Sequence, residues 1–158
     1  MQQKNLEINY REYNSIEELS FPDKSLLQEA VNATAGSYAP YSNFNVGAAV
    51  RMSGGEIVTG SNQENAASPS GLCAERVAIF AAHHQYPAQA VESIAVVGKQ
   101  NGELTSELTF PCAACIQVMT ESQKRSGKPI RIIVGSAEKV QVFDSVNDLL
   151  PFSFTEIP

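Results

Sequence analysis

Residues 93–135 read SIAVVGKQNGELTSELTFPCAACIQVMTESQKRSGKPIRIIVG. The run SIAVVG at 93–98 and the β-branched run IRIIVG at 130–135 are short and largely apolar, the pattern of strands covered on both faces. Between them a loop rich in Gly and Asn gives way to PCAACIQVMTESQKR at 111–125, which reads as a helix. Strand, helix and strand in this order make a parallel βαβ unit, and the rest of the chain is arranged around it.

Upstream, CAERVAIFAAHH at 73–84 has the Ala, Val, Ile and Phe content of a helix buried on most sides. A polar stretch, SNQENAASPSG at 61–71, leads into it. Asn45 to Val50 and Glu56 to Gly60 read as strands joined by a turn at Ser53, Gly54 and Gly55, an antiparallel hairpin. Before the turn-rich SYAPYSNF at 37–44, the apolar positions Leu26, Leu27, Ala30, Val31 and Thr34 recur at helical spacing from Asp23, with Gly36 as a stop signal. Downstream, Val140 to Phe143 reads as a last strand, followed by a short helical turn before LLPFSF at 149–154. A hairpin followed by βαβ crossovers implies an α/β fold, a three-layer α/β/α sandwich with a mixed sheet of about five strands. Residues 1–22 carry no sustained periodicity and read as an N-terminal arm; 23–158 read as one domain.

The 158 residues, 43% of them hydrophobic, suffice for a single packed core. A formal charge of −6 is the wrong sign for a polynucleotide binder, whose affinity comes from Lys and Arg against phosphates. The apolar runs fall far short of the roughly 20 residues of a membrane span. The N-terminal residues lack the apolar stretch of a secretory signal, so the expected compartment is the cytoplasm. Thiols stay reduced there, and three cysteines suggest a metal site, a reactive thiol or core packing before a disulfide framework.

All three cysteines fall at helix starts: Cys73 opens the second helix, and Cys112 and Cys115 open the third just behind Pro111. Proline is tolerated in a first helical turn, and the exposed N–H groups and helix dipole there favour thiolate. Cysteines three apart lie about 60° from each other around a helix, so Cys112 and Cys115 can grip one ion, with Cys73 as a third sulfur. The only histidines, His83 and His84, stand about 15 and 16 Å along the axis from Cys73 and cannot join the same centre. They read as the solvated or capping end of their helix. A zinc ion on these sulfurs keeps an open position unless a carboxylate fills it. Glu75 is nearest in sequence, but a regular helix turns it about 200° from Cys73, which disfavours chelation by both. A carboxylate that stands near a metal without ligating it can move protons for hydrolysis.

Cys73-Ala74-Glu75 followed by Pro111-Cys112-Ala113-Ala114-Cys115 resembles the signature of zinc nucleoside deaminases. YSNFNVGAAV at 41–50, Asn62-Gln63-Glu64-Asn65, the CAER box, the PCxxC box with Gln117 behind it, and LLPFSF follow in the order of the small, tetrameric cytidine deaminases of pyrimidine salvage. The resemblance covers about 130 residues, from roughly Ser25 to Phe154. It implies that Cys73, Cys112 and Cys115 bind one Zn2+ per subunit, with water as fourth ligand. Glu75 would shuttle a proton from that water to N3 of cytosine, so that free cytidine and 2′-deoxycytidine become uridine or its deoxy form and ammonia. It further implies that Asn62 and Glu64 recognise ribose hydroxyls, Phe44 packs near the nucleoside, Ala74 offers backbone contacts to the base, and Phe154 reaches into a neighbouring subunit. The expected partners are therefore a nucleoside and other copies of the chain in a homotetramer with shared sites, with neither polynucleotide nor membrane.

Three positions depart from the family pattern. Ile116 stands where Arg usually follows the last cysteine, leaving only Arg76 to draw charge from the sulfurs. The expected consequence is a less Lewis-acidic zinc; the alternatives are a same-fold deaminase of another aminopyrimidine nucleoside and a catalytically weakened zinc-bound paralogue. Ser68 replaces a common Tyr, which leaves substrate choice, a subunit contact or a plain solvated loop open. Ala113 replaces Gly and is harmless if its backbone is helical.

Overall fold

The computed structural model describes residues 1–157; Pro158, the last residue of the expected domain, lies outside them. The elements follow as β1 (Arg11–Tyr13), α1 (Phe21–Ala33), β2 (Phe44–Met52), β3 (Ile57–Ser61), α2 (Ala74–Gln85), β4 (Val91–Gln100), β5 (Glu103–Leu104), α3 (Ala113–Ser126), β6 (Arg131–Gly135) and β7 (Val140–Phe143). Strands lie in the order β1-β7-β6-β4-β2-β3, with β5 also pairing β4. β4 and β6 pair in parallel, Ile94 opposite Ile132 and Val96 opposite Val134, which is the βαβ unit around α3. β2 pairs antiparallel with both β3 and β4.

The sheet has seven strands where the sequence reading expects about five. The two extra are β1 and β5, of three and two residues, too short to carry any alternation. β5 exists because Asn101 and Gly102 both adopt positive φ, 53° and 85°, the primed-turn geometry that folds a chain straight back on itself. β1 exists because β7 offers it an edge, Arg11 pairing with Val142 and Tyr13 with Val140. Just ahead of β1, the Tyr10 ring stacks on Phe143 with centroids 5.3 Å apart.

Alternate strand residues feed two cores, as the period of two requires. Val46, Ala48 and Val50 of β2, Ile94 and Val96 of β4, and Ile132 and Val134 of β6 pack with Ala78, Ile79 and Ala82 of α2 and Met119 of α3. Ala49, Ala95, Val97 and Ile133 pack on the other face with Leu26, Leu27 and Ala30 of α1. The result is the three-layer sandwich, α1 on one face and α2 with α3 on the other. Two glycines set how closely helices approach. A Cβ on Gly47 would lie 2.0 Å from the Ala30 carbonyl oxygen of α1, and one on Gly60 would lie 2.5 Å from the Ala78 nitrogen of α2. Both obstacles are backbone, so a larger residue at Gly60 would push out the helix that carries Cys73 and Glu75.

α3 ends on Gly127, whose φ of 66° lets its N–H cap the carbonyls of Gln123 and Lys124. His84 is exposed as expected, but His83 corrects the sequence reading. It is half-buried, with Nε2 2.7 Å from the hydroxyl of buried Ser122 on α3, because the two helix ends converge there. No described helix is long and apolar enough to cross a membrane.

Candidate metal centre and active site

α2 and α3 both present their N-termini at one edge of their layer. Cys73 and Cys112 are the N-cap residues, extended at φ/ψ −70°/154° and −69°/162°, and neither side chain makes a capping hydrogen bond. Their carbonyls already serve the helices, accepting from the N–H groups of Val77 and Ile116. The cysteines thus stand one position before the helices that the sequence reading has them open, and buried Pro111 precedes the cap instead of occupying the first turn. Cys115 lies in the first turn of α3 and is fully buried.

The sulfurs converge. Cys73 Sγ is 3.9 Å from Cys112 Sγ, and Cys112 Sγ is 3.5 Å from Cys115 Sγ. All three lie within 4.8 Å of one another. Tetrahedral zinc with bonds near 2.3 Å needs its sulfurs about 3.8 Å apart, so the donor set fits zinc in spacing and in chemistry. Neither histidine is in the cluster.

Glu75 is 4% exposed and its carboxylate approaches Cys115. Burial pushes its carboxyl above the ordinary value, against a hydrogen bond from its own backbone, one from Cys115 and the charge of Arg76. Burial, and then the charge of Glu75, pushes the Cys115 thiol up. For Cys112 burial acts upward too, but hydrogen bonds from Cys115 and Cys73 and the backbone N–H groups of the first turn outweigh it and bring the thiol below its ordinary value. Arg76 donates from Nη2 to Cys73 Sγ at 3.6 Å. A sulfur triad able to hold a cation, a buried carboxylate beside it and a guanidinium on one sulfur make a centre suited to metal-assisted hydrolysis.

The model of the cytidine and deoxycytidylate deaminase zinc-binding region matches residues 21–127. The chain belongs to that family. A cytidine deaminase of Halalkalibacterium halodurans is 38% identical over 130 residues, covering 82% of this chain and 92% of the relative. The crystal structure of a cytidine deaminase from Burkholderia pseudomallei superposes with a TM-score of 0.70 at 37% identity, covering 82% of this chain and 97% of that one. A cytidine deaminase structure from Mycobacterium tuberculosis gives a TM-score of 0.65 at 32% identity over 84% and 96%. The chain is therefore a deaminase of this family, its cofactor is zinc, and its sheet with flanking helices is the family's fold.

Beside the triad of this deaminase opens a cavity of about 570 Å3, into which Cys73, Arg76, Asn62, Glu64 and Ser68 all face. Asn62 is heavily engaged: Oδ1 accepts from Ser37 Oγ at 2.5 Å and the Val46 N–H at 2.8 Å, while Nδ2 donates to the Phe44 carbonyl at 2.9 Å. Glu64 accepts from the N–H groups of Tyr41 and Ser42, at 2.8 and 3.3 Å, and from the Ser42 hydroxyl. These bonds, led by the Ser42 hydroxyl, hold its carboxyl below the ordinary value. Phe44 packs over Gly98, where a Cβ would meet the ring at 2.7 Å. Ala74 is fully buried behind Cys73. Phe154 is 66% exposed, and its carbonyl accepts from Gln117 Nε2 at 2.6 Å. Ile116 packs at the edge of the core between α3 and the sheet.

Sequence reading missed Tyr41, which lines the cavity, and the serines 37 and 42 that anchor Asn62 and Glu64. The turn-rich SYAPYSNF was their one local signal. Their partners lie more than 20 residues away, beyond any local pattern.

Proposed function

We propose that this deaminase hydrolyses the exocyclic amine of free cytidine and 2′-deoxycytidine, consuming water and releasing ammonia and uridine or its deoxy form. The carrying observation is the sulfur triad with buried Glu75 against Cys115 at the joined N-termini of α2 and α3. Cys73, Cys112 and Cys115 hold the zinc, which when bound supplies the Lewis acidity that makes water a nucleophile at neutral pH. Glu75 takes a proton from the attacking water and delivers it to N3 of the ring as C4 is attacked, then helps the amine leave. Its burial supports this role, because a carboxyl with a raised affinity for protons is a better acceptor for the proton of water. Arg76, by donating to Cys73, draws charge from the sulfurs.

Asn62 and Glu64 recognise the ribose hydroxyls from the cavity wall, Glu64 as an acceptor and Asn62 through the donor capacity that Phe44 leaves free. Phe44 packs near the nucleoside and the Ala74 backbone contacts the base. The exposed ring of Phe154 reaches a neighbouring copy's site, so that the working enzyme is a cytoplasmic homotetramer with shared sites. A second reading, a deaminase of another aminopyrimidine nucleoside, is favoured by Ser68, which lines the cavity where the family often has a larger residue.

The test follows the ultraviolet change as cytidine becomes uridine with zinc-loaded protein, Glu75→Ala being the paired blank. Turnover that vanishes in the blank is the expected result. No turnover on cytidine, with one zinc per chain, would turn the search to other aminopyrimidine nucleosides, and silence on all of them would leave the weakened paralogue marked by Ile116. An active monomer in a native mass measurement would remove Phe154 from the site.

A further inference from the structure

At the end of α2 and α3 away from the sulfurs, about 15 Å along the helices at 1.5 Å per residue, a second cavity of about 290 Å3 opens towards the β2–β3 turn. Ser53, His83, Gln89, Ser122, Arg125 and Lys128 form its polar wall, and no carboxylate lines it. That is a marked local inversion in a chain with 17 acidic and 11 basic residues. Neither Arg125 nor Lys128 makes an ion pair among the described residues. Two acids stand close by in the chain or the fold without pairing with either cation. Glu121, one helical turn before Arg125, lines an adjoining groove together with Arg125, His83 and Phe80, but forms no ion pair with that arginine among the described residues. Glu56 does not line the cavity and is bonded to Gln89, whose Nε2 donates to its Oε1 at 3.0 Å.

Basic residues at a helix C-terminus ordinarily complement its exposed carbonyls. Here the Gly127 N–H already caps those of Gln123 and Lys124, and the Tyr86 N–H caps that of Ala82. The wall is built as well as charged. Ser122 is 2% exposed and joined to His83 Nε2, while His83 Nδ1 is buried with no partner. The Ser53 hydroxyl accepts from the Ala90 N–H at 3.2 Å and donates to nothing among the described residues, so its proton is free for a ligand.

We propose that this cavity is a binding site for a small phosphate-bearing anion, held by Arg125 and Lys128 with the Ser53 hydroxyl as a neutral donor. A guanidinium fork matches phosphate oxygens in pairs and an ammonium adds a point charge, which two unpaired cations over a neutral wall supply together. The volume lies at the lower end of the roughly 300 to 1,000 Å3 of small-molecule sites. It suits inorganic phosphate or a compact phosphomonoester. The site stands apart from the deamination centre and does not depend on what that centre acts on.

The experiment adds inorganic phosphate to the zinc-loaded protein and follows the ring C–H resonances of His83 by NMR, with sodium chloride at matched ionic strength as blank. His84, the only other imidazole and exposed, serves as the internal reference. The expected result is a saturating shift of His83 with phosphate and none with chloride, its apparent Kd weakened at least tenfold in Arg125→Gln/Lys128→Gln. Both substituted residues lie at the helix end, and unchanged zinc stoichiometry and circular dichroism check that the variant folds. A repeat with glycerol phosphate separates the sources, since tighter binding identifies an organic phosphate and equal binding the free ion. No saturating shift, an equal response to chloride, or an unchanged Kd in the double variant would overturn the proposal.

Discussion

Asp23 and Glu75 are two carboxylates in the first turns of helices, 6% and 4% exposed, and they live in opposite surroundings. Asp23 meets Arg131, which donates from Nε to both carboxylate oxygens at 3.2 Å and from Nη2 at 2.7 Å, and its helix is capped by the Ser20 hydroxyl. Arg131 also donates to Asp144 at 2.7 Å, and Asp144 is paired with Arg11 of β1, so Asp23 ends a chain of charges tying α1, β6 and the arm together. Glu75 has no ion pair among the described residues, since its neighbour Arg76 is turned to a sulfur, and its helix begins on a cysteine that caps nothing. A first turn optimised for stability and one left unsatisfied for chemistry sit on opposite faces of one sheet. The second is the arrangement expected where function is maintained at a cost in stability.

The sharpest way to break that contrast is to neutralise each carboxylate without changing its shape. Glu75→Gln is expected to lower kcat by about a thousandfold, about 4 kcal/mol of barrier, while zinc per chain and Tm are kept or raised. A large fall in Tm would make Glu75 a structural residue like Asp23. Asp23→Asn should do the reverse, costing about 3 kcal/mol by leaving Arg131 with only the exposed Asp144 as its partner. That corresponds to a Tm lower by about 6 to 12 °C for a chain of this size, with kcat within about twofold. Equal losses of activity in the two variants would erase the distinction.

A smaller effect sharpens the comparison of caps. Cys73→Ser restores an N-cap hydroxyl, so in chelator-treated protein it should gain about 1 kcal/mol of stability, seen as a Tm higher by about 2 to 4 °C, although zinc binding is lost. Retained zinc at one per chain in this variant would remove Cys73 from the triad. The smallest effect concerns Ile116. Ile116→Arg places a second guanidinium near the sulfurs, and the acidic limb of the pH–rate profile should move to lower pH by less than a unit, since charge drawn from the sulfurs makes the metal a better acid. Superimposable profiles would show that Arg76 suffices.

The βαβ unit was legible because SIAVVG and IRIIVG are apolar on successive residues from Ile94 to Val97 and from Ile132 to Val134, as strands covered on both faces must be. The five longer strands and three helices followed from periodicity and composition; helix geometry allowed the three sulfurs one ion, and the family resemblance made them its ligands. β1 and β5 were not legible, because their pairing depends on a neighbouring edge and on one turn at Asn101 and Gly102. His83 was read as part of the solvated or capping end of its helix. Only the convergence of α2 on α3 reveals Ser122 beneath it, 39 residues away. Asn62 and Glu64 were singled out by the family resemblance alone, and their hydrogen bonds to Ser37 and Ser42 cross the hairpin and have no local trace.

The amino-acid sequence by itself determined the layer architecture, the helix starts on which the cysteines fall and the shortage of a fourth sulfur or a reachable histidine. These follow from period, composition and arithmetic along one chain. Only the tertiary structure decided which buried carboxylate has a cation and which has none, that Arg76 serves Cys73, and that Arg125 and Lys128 meet at a cavity no carboxylate lines. Each of these depends on distances between residues far apart in the chain, and the approach of α2 to β3 at Gly60 and of α1 to β2 at Gly47 sets the frame in which those distances arise.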